Sequence, residues 1–304
     1  MKFTTHFEIE TIKKPLDHHG SVVLMGSCFS QNIGDKLSYC GFEALVNPFG
    51  VIFNPYSLML LMEKSIDEDF TMDDVSGNFS YLAHSDLNAA NASEVLIQLQ
   101  DAGQVLKKRL EKASHVIITL GTAWIYELQK TGQIVANCHQ QPQKLFSKRL
   151  LSRHEMEEAL RRIESLIKKV NPATQLIYTL SPVRHTKDGM VENARSKARL
   201  HEAIQQSCDG RVPYYFPAYE ILMDELRDYR FYASDMIHPN ATAVDYVWLR
   251  FRESVLHQNT VNAIKTIEKH QKLAGHKPKD IEAHALQVEQ SRQQLLSQFP
   301  YLQL

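Results

Sequence analysis

The chain of 304 residues reads as an α/β protein whose mainly parallel sheet is covered by helices on both faces. Three observations predict this. The runs SVVLM (21–25), HVIITL (115–120) and QLIYTL (175–180) are β-branched or aromatic-rich and too short for free-standing helices. Longer stretches of helical period, such as 92–112 and 153–169, lie between them, and strand–helix alternation favours a parallel sheet. Hydrophobic residues make up 43% and charged residues 23%, the balance of a globular protein long enough to bury a large core.

Each element has a local reason. SVVLM ends at Gly26, and a helix is expected from about Phe29. FEALV (42–46) and VPYYF (212–216) are weaker strand candidates. WIYELQKTGQIVANC reads as two strands around a Thr131-Gly132 turn, so a hairpin should come after the second strong strand run. In RHEMEEALRRIESLIKKV, Met156, Leu160, Ile163, Leu166 and Ile167 recur every three or four residues and describe one buried face. Acidic residues lead that segment and lysines end it, as the helix dipole favours. From about 258 the chain is rich in Gln, Lys, His and Glu, with no strand signal. Two helices broken at Gly275 and Pro278 are expected, with Ile281, Ala285, Val288 and Leu295 forming a face buried on the core or on a second copy of the chain. The organisation read from the sequence is therefore an α/β domain at 1–257 and a helical arm at 258–304.

Composition excludes several classes of function. A formal net charge of −1 gives no reason to expect a nucleic-acid or membrane-surface partner. The opening MKFTTHFEIETIKKPLDHHG has no long apolar run, so neither a signal peptide nor a membrane span is expected. Cys28, Cys40, Cys138 and Cys208 are widely spaced without a CxxC pair, which argues against a thiolate zinc site and for a reduced, cytoplasmic protein. His18 with His19, and His270, His276 and His284, lack ligand spacing and read as solvated surface histidines; no metal is expected.

Two short stretches carry chemistry. In SVVLMGSCFSQNIGDKL an apolar run meets Gly26, and a hydroxyl and a thiol come at once, Ser27 and Cys28. A strand, a tight turn and a helix in that order can lift a nucleophile above the sheet edge, and a helix N-terminus favours a thiolate. A purely structural turn of small residues is the alternative. In YASDMIHPNATAVDYVWLRF, Asp235 and His238 stand three apart before Pro239, Asn240 and an amphipathic helix. That spacing lets the carboxylate orient the imidazole while the other ring nitrogen reaches a nucleophile, although a helix cap would use the same residues.

An elbow after the first strand and D-x-x-H-P before the last domain helix resemble the SGNH, or GDSL-type, hydrolase superfamily. Within it, G-S-C-F at 26–29 is similar to the GSCFA family, as are NPFGVIFNP (47–55), ITLGTAWIYE (118–127), SPVRHTKDGMVEN (181–193) and FPAYEILMDELRDYRFYASDMIHP (216–239). The resemblance covers most of residues 1 to about 255 and leaves out the arm. It implies a three-layer α/β/α sandwich, SGNH or flavodoxin-like, and acyl-ester chemistry through Cys28, His238 and Asp235. Register with the superfamily's G-D-S block puts Cys28 at the attacking position and Ser27 in a supporting one.

The resemblance further implies that the Gly50 N–H helps to form the oxyanion hole. The asparagine of the superfamily's G-x-N block is missing, since this chain reads Gly121-Thr122-Ala123; either Thr122 or Asn54 substitutes, or the hole is weaker. Trp124 and His139 are expected near the acyl pocket, though core burial is the alternative for Trp124. Arg184 and His185 are expected on a ligand-facing loop, while Asn193, Arg195 and Lys197 read as solvated. The implied activity is that of an acyl hydrolase or acyltransferase needing no cofactor, with acyl-CoA or another acyl thioester as candidate donor and a small molecule or glycan as the acylated substrate. The alternative is a non-catalytic binding or scaffold protein on a degenerate SGNH fold.

Overall fold

The computed structural model describes residues 4–210 and 213–302. Strand β1 (Ser21–Gly26) leads into α1 (Cys28–Tyr39), followed by β2 (Glu43–Val46), α2 (Pro55–Asp67), α3 (Ala92–Leu110) and β3 (Ala113–Leu120). Three short strands come next, β4 (Trp124–Leu128), β5 (Ile134–Val135) and β6 (Phe146–Leu150). The chain continues through α4 (Arg153–Val170), β7 (Gln175–Leu180), α5 (Met190–Cys208) and β8 (Tyr214–Phe216). A short turn of helix, α6 (Ala218–Glu220), widens into a π-helical stretch over Ile221–Leu226, and α7 (Ala241–Val255) closes the α/β part. Helices α8 (Gln258–Ala274) and α9 (Ile281–Gln298) form the arm.

The main sheet has five strands in the order β2-β1-β3-β7-β8, and every neighbouring pair is parallel. The alternation of strand side chains divides the core in two. Val23 and Met25 point to the face covered by α2, α3, α4 and α5, whereas Val22 and Leu24 point to the face covered by α1, α7 and α8. This is the three-layer α/β/α sandwich read from the sequence. The weak strand at 212–216 is seen at Tyr214–Phe216; Val212 lies outside the described residues.

The hairpin is present but larger than expected. β4 pairs antiparallel with β5 across the Thr131-Gly132 turn and also with β6. FSKRL (146–150) is apolar only at its two ends and shows no alternation that would mark a strand, and its pairing with β4 is a long-range choice.

The arm departs from expectation in its facing. Leu295 is buried and Val288 half-buried, but Ile281 and Ala285 are exposed. Helix α9 turns a different stripe to α8: His284 Nε2 donates to Leu273 O at 2.9 Å, Ser291 Oγ meets His270 Nδ1 at 3.1 Å, and Leu295 packs on Ala263 and Ile267. Mixed polar contacts outweigh the apolar spacing because the stripe is short. His18 and His270 are also buried rather than solvated; His18 stacks on Phe42 and its ring bonds to Cys40 O at 2.8 Å. Among the described residues no helix is long and apolar enough to cross a membrane.

Candidate active site

The carboxyl ends of the parallel strands collect most of the residues singled out from the sequence. β1 ends on Gly26, whose φ of +141° and contact with Thr119 leave no room for a side chain: a Cβ there would lie 2.2 Å from Thr119 O. Ser27 N donates to Thr119 O at 3.1 Å, and Gly26 N donates to Asn47 Oδ1 at 2.9 Å. The elbow is thus tied to β3 on one side and to the loop after β2 on the other.

Ser27 is the N-cap of α1. Its buried Oγ accepts the Phe29 N–H at 3.2 Å, and its carbonyl accepts Ser30 N–H at 2.8 Å. Helix α1 therefore starts at Cys28, one residue earlier than expected. Cys28 is half-buried and free. The helix N-terminus favours a thiolate, but burial pushes the Cys28 thiol up and outweighs the pull of its own backbone N–H. A nucleophile in this position needs a base.

Asp235 and His238 form a compact pair on the loop between the π-helical stretch and α7. Asp235 Oδ1 accepts the N–H groups of Ile237 and His238 at 2.9 and 3.0 Å, while Oδ2 meets His238 Nδ1 at 2.7 Å. These three donors, with the His238 backbone N–H first, hold the Asp235 carboxyl down at about 2. Met236 takes a left-handed φ of 57° to close the loop, a conformation a non-glycine residue adopts at a cost. The cap reading of this stretch falls to Asn240, whose Oδ1 accepts Ala243 N–H at the start of α7.

Several expected oxyanion donors are spent elsewhere. The Gly50 N–H donates to Asn47 O at 2.8 Å, closing a turn instead of facing a substrate. Gly50 keeps a backbone reason to be glycine, since its φ is +74° and a Cβ would lie 2.3 Å from His84 Cβ. Asn54 is buried as the N-cap of α2, accepting Ser57 N–H at 2.8 Å and donating to Ser57 Oγ at 2.9 Å. The Thr122 hydroxyl is buried against Ser196 Oγ at 2.9 Å and accepts Trp124 N–H at 3.1 Å. Neither Asn54 nor Thr122 replaces the missing asparagine in this conformation.

The remaining candidates separate. His139 Nε2 bonds to Ser80 O and Ala83 O at 2.8 and 3.1 Å, and its ring stacks on Phe79, so it straps a loop instead of lining the cleft. Trp124 is half-buried on β4, with Nε1 donating to Glu192 O at 3.3 Å and Lys148 Nζ 5.1 Å from its ring centre. Arg184 N donates to Ile237 O at 3.2 Å, beside His238, and the guanidinium stacks over Tyr232 at 4.2 Å and Tyr229 at 5.2 Å. His185 packs on Phe53 with ring centres 5.0 Å apart, and its Nε2 lies 3.0 Å from the point a Gly121 Cβ would occupy.

Two residues were missed. Lys197, expected in solvent, is buried; its Nζ donates to Gly121 O at 2.7 Å and to Ser181 O at 2.6 Å, and burial lowers it to about 7. His84 lies with Nδ1 3.0 Å from Asp86 Oδ2 beside the Gly50 turn. The H-S-D spacing was a signal for the latter; nothing local marks Lys197. No cluster of three or more His, Cys, Asp or Glu side chains able to hold a metal occurs among the described residues.

The GSCFA family model matches residues 21–251. The chain belongs to the GSCFA family. A comparison with curated proteins finds no match. Among solved structures, the chain is similar to the lipase Lip_vut3 from a goat rumen metagenome, at 9% identity over 78% of this chain and 98% of that one, with a TM-score of 0.38. It is also similar to the periplasmic domain of a lipopolysaccharide acetyltransferase of Salmonella ser. Paratyphi A, at 11% identity over 79% and 84% of the two chains and a TM-score of 0.38. The acetyl xylan esterase Est2A from Butyrivibrio proteoclasticus is similar at 9% identity over 79% and 64%, with a TM-score of 0.41. Likenesses this distant do not say what a GSCFA chain does.

Proposed function

We propose that this GSCFA protein is an acyl hydrolase or acyltransferase in which Cys28 attacks, His238 takes its proton and Asp235 holds the ring. The observation that carries the reading is the Asp235–His238 pair at 2.7 Å, with the ring still open to solvent, on the sheet edge where the Gly26–Cys28 elbow emerges. Burial raises the thiol, so a paired imidazole is what this cysteine requires. Ser27 is a poorer nucleophile because its hydroxyl is buried and accepts the Phe29 N–H in the first turn of α1.

The sulfur lone pair forms a bond to the acyl carbon while His238 accepts the thiol proton. Collapse of the adduct breaks the bond to the leaving group, which takes that proton from the imidazolium and departs as an alcohol or thiol. A thioester at Cys28 remains. Water or an acceptor hydroxyl then attacks with His238 again as base, releasing the acid or the new ester and restoring the thiol. The donor is an acyl thioester such as acyl-CoA or an activated ester, and the acceptor a small molecule or glycan hydroxyl.

A second reading, a binding protein that has lost catalysis, draws support from the spent Gly50, Asn54 and Thr122 donors. Intact-mass spectrometry after incubation with a panel of acyl thioesters and p-nitrophenyl esters separates the two. The expected result is one acyl mass on the wild type, mapped to the Cys28 peptide and absent from Cys28→Ala. An adduct that survives Cys28→Ala and disappears in Ser27→Ala reverses the assignment, and absence of both adduct and turnover throughout supports the binding protein.

A further inference from the structure

We infer that His185, through its Nε2–H, supplies the oxyanion hydrogen bond that the G-x-N asparagine gives in the superfamily. The inference rests on the acyl-transfer reading above and fills the place left open by Ala123.

The backbone around His185 is held from three sides. Ser181 N donates to Leu120 O at 2.8 Å, fastening the start of its loop to the end of β3. Arg184 N donates to Ile237 O, one residue before His238. His185 N itself donates to Asn193 Oδ1 at 2.9 Å. From below, Lys197 clasps Gly121 O and Ser181 O together, joining the two loops that meet at this ring. A side chain held this way keeps its position without substrate, which is what an oxyanion donor needs.

The ring lies over the right strand. Gly121 comes directly after Leu120 at the end of β3, two residues beyond the Thr119 carbonyl that accepts the Ser27 N–H of the elbow. Phe53 Cβ and His185 Nε2 lie 2.9 and 3.0 Å from where a Gly121 side chain would start, so glycine here makes the room that the imidazole fills. Nε2 is buried and has no hydrogen-bond partner in the protein. Leaving such a group unpaired costs stability, and at the end of β3, beside the nucleophile elbow, an arriving carbonyl oxygen would satisfy it.

The charge state suits the task. Burial first, then the positive charges of Lys197, His238 and Lys148, depress His185 to about 3. At neutral pH the ring is therefore uncharged and carries one proton. As the thiolate adds to the acyl carbonyl, the π pair moves to oxygen, and Nε2–H donates to that oxygen while keeping its proton. No bond to His185 forms or breaks.

The test uses the full chain with p-nitrophenyl acetate as probe, comparing wild type, His185→Ala, His185→Gln and His185→Phe. Single-turnover acylation of Cys28 should slow by ~10²- to 10³-fold in His185→Ala with KM little changed, the loss expected for one oxyanion donor. His185→Gln, which retains an N–H donor, should recover about tenfold or more of that rate. His185→Phe should be as slow as the alanine variant yet melt at or above the wild-type temperature, because an apolar ring replaces an unpaired donor. Acylation within about twofold of wild type in His185→Ala overturns the inference, and so does a His185→Phe variant that melts well below wild type, which would make the ring structural. A wild type that is never acylated at Cys28 shows, before any variant is made, that the acyl-transfer reading itself is wrong and takes this inference with it.

Discussion

Two regions at opposite edges of the main sheet, the depression beside Tyr214 and the loops around Cys28, differ in the polar groups they hold. At the amino edge lies a surface depression of about 950 Å³, lined by Glu10–Lys13, Gln175, Cys208 and Tyr214 among others. The groups around it are settled. Buried His115 bonds through Nδ1 to Ser114 Oγ and through Nε2 to Lys14 O, both at 2.9 Å, and Tyr214 Oη donates to Glu10 O at 2.6 Å. Burial pushes Cys208 up to about 12, so its thiol is inert. At the carboxyl edge a half-buried thiol, an oriented and accessible imidazole and an unpartnered buried ring nitrogen occupy neighbouring loops. The proposed site therefore follows hydrogen-bonding capacity left unused, not the volume of a depression.

Exchanging the roles of histidines at the two edges gives the largest expected effect. His238→Ala should lower acyl turnover by ~10²- to 10⁴-fold with little loss of stability, since the ring is exposed. His115→Ala should do the reverse, keeping kcat within about twofold while costing about 1–3 kcal/mol in urea unfolding, because it removes a buried ring with hydrogen bonds at both nitrogens. Equal loss of activity in both variants would erase the distinction between the edges.

Gly26→Ala tests whether the elbow is built by its backbone. A Cβ 2.2 Å from Thr119 O cannot be relieved by a side-chain rotation, and the φ is unfavourable as well. A loss of about 3 kcal/mol or more is expected in denaturant unfolding. A variant as stable as wild type would show that the β1–β3 edge can shift.

Lys197 sharpens the comparison through pH. In the unfolded chain it holds its proton up to the ordinary lysine value of 10.5, whereas in the folded protein it releases it at about 7. Between those values the unfolded state binds more protons, so this residue makes stability rise with pH. Wild-type stability relative to Lys197→Met should therefore climb from pH 7 towards pH 10 by up to about 1.4 kcal/mol per pH unit, as urea titrations at a series of pH values would show. A flat difference would mean that Lys197 keeps its charge when buried.

The smallest effect belongs to the depression itself. Gln206, on its exposed lining, should be replaceable by alanine with acyl turnover within about twofold of wild type and stability within about 0.5 kcal/mol. A tenfold loss of turnover would move the site to the amino edge.

Much of this architecture was legible in residue order because its causes are local. Val22 to Met25 alternate between two faces, Gly26 ends the strand, Ser27 caps helix α1, and Asp235 reaches His238 across three residues of one loop. Such contacts span a few residues, and backbone geometry alone brings their partners within reach. The roles of Gly50, Asn54, Thr122 and His139 were not legible in the same way. Asn54 is spent on its own helix and Gly50 on its own turn, choices that the oxyanion reading had no means to exclude. Thr122 is claimed by Ser196, 74 residues away, and His139 by Ser80, 59 residues away. Lys197 lost its solvent only because α5 lays it beneath two strand ends, and α9 turned His284 and Ser291 to α8 in place of Ile281 and Ala285. Sequence alone determined most of the elements, β6 excepted, and which loops gather at the carboxyl edge, since periodicity, capping and turn chemistry act within a few residues. The tertiary structure decided which polar groups at that edge are already satisfied, because their partners come from segments that meet only when the sheet and its helices are packed.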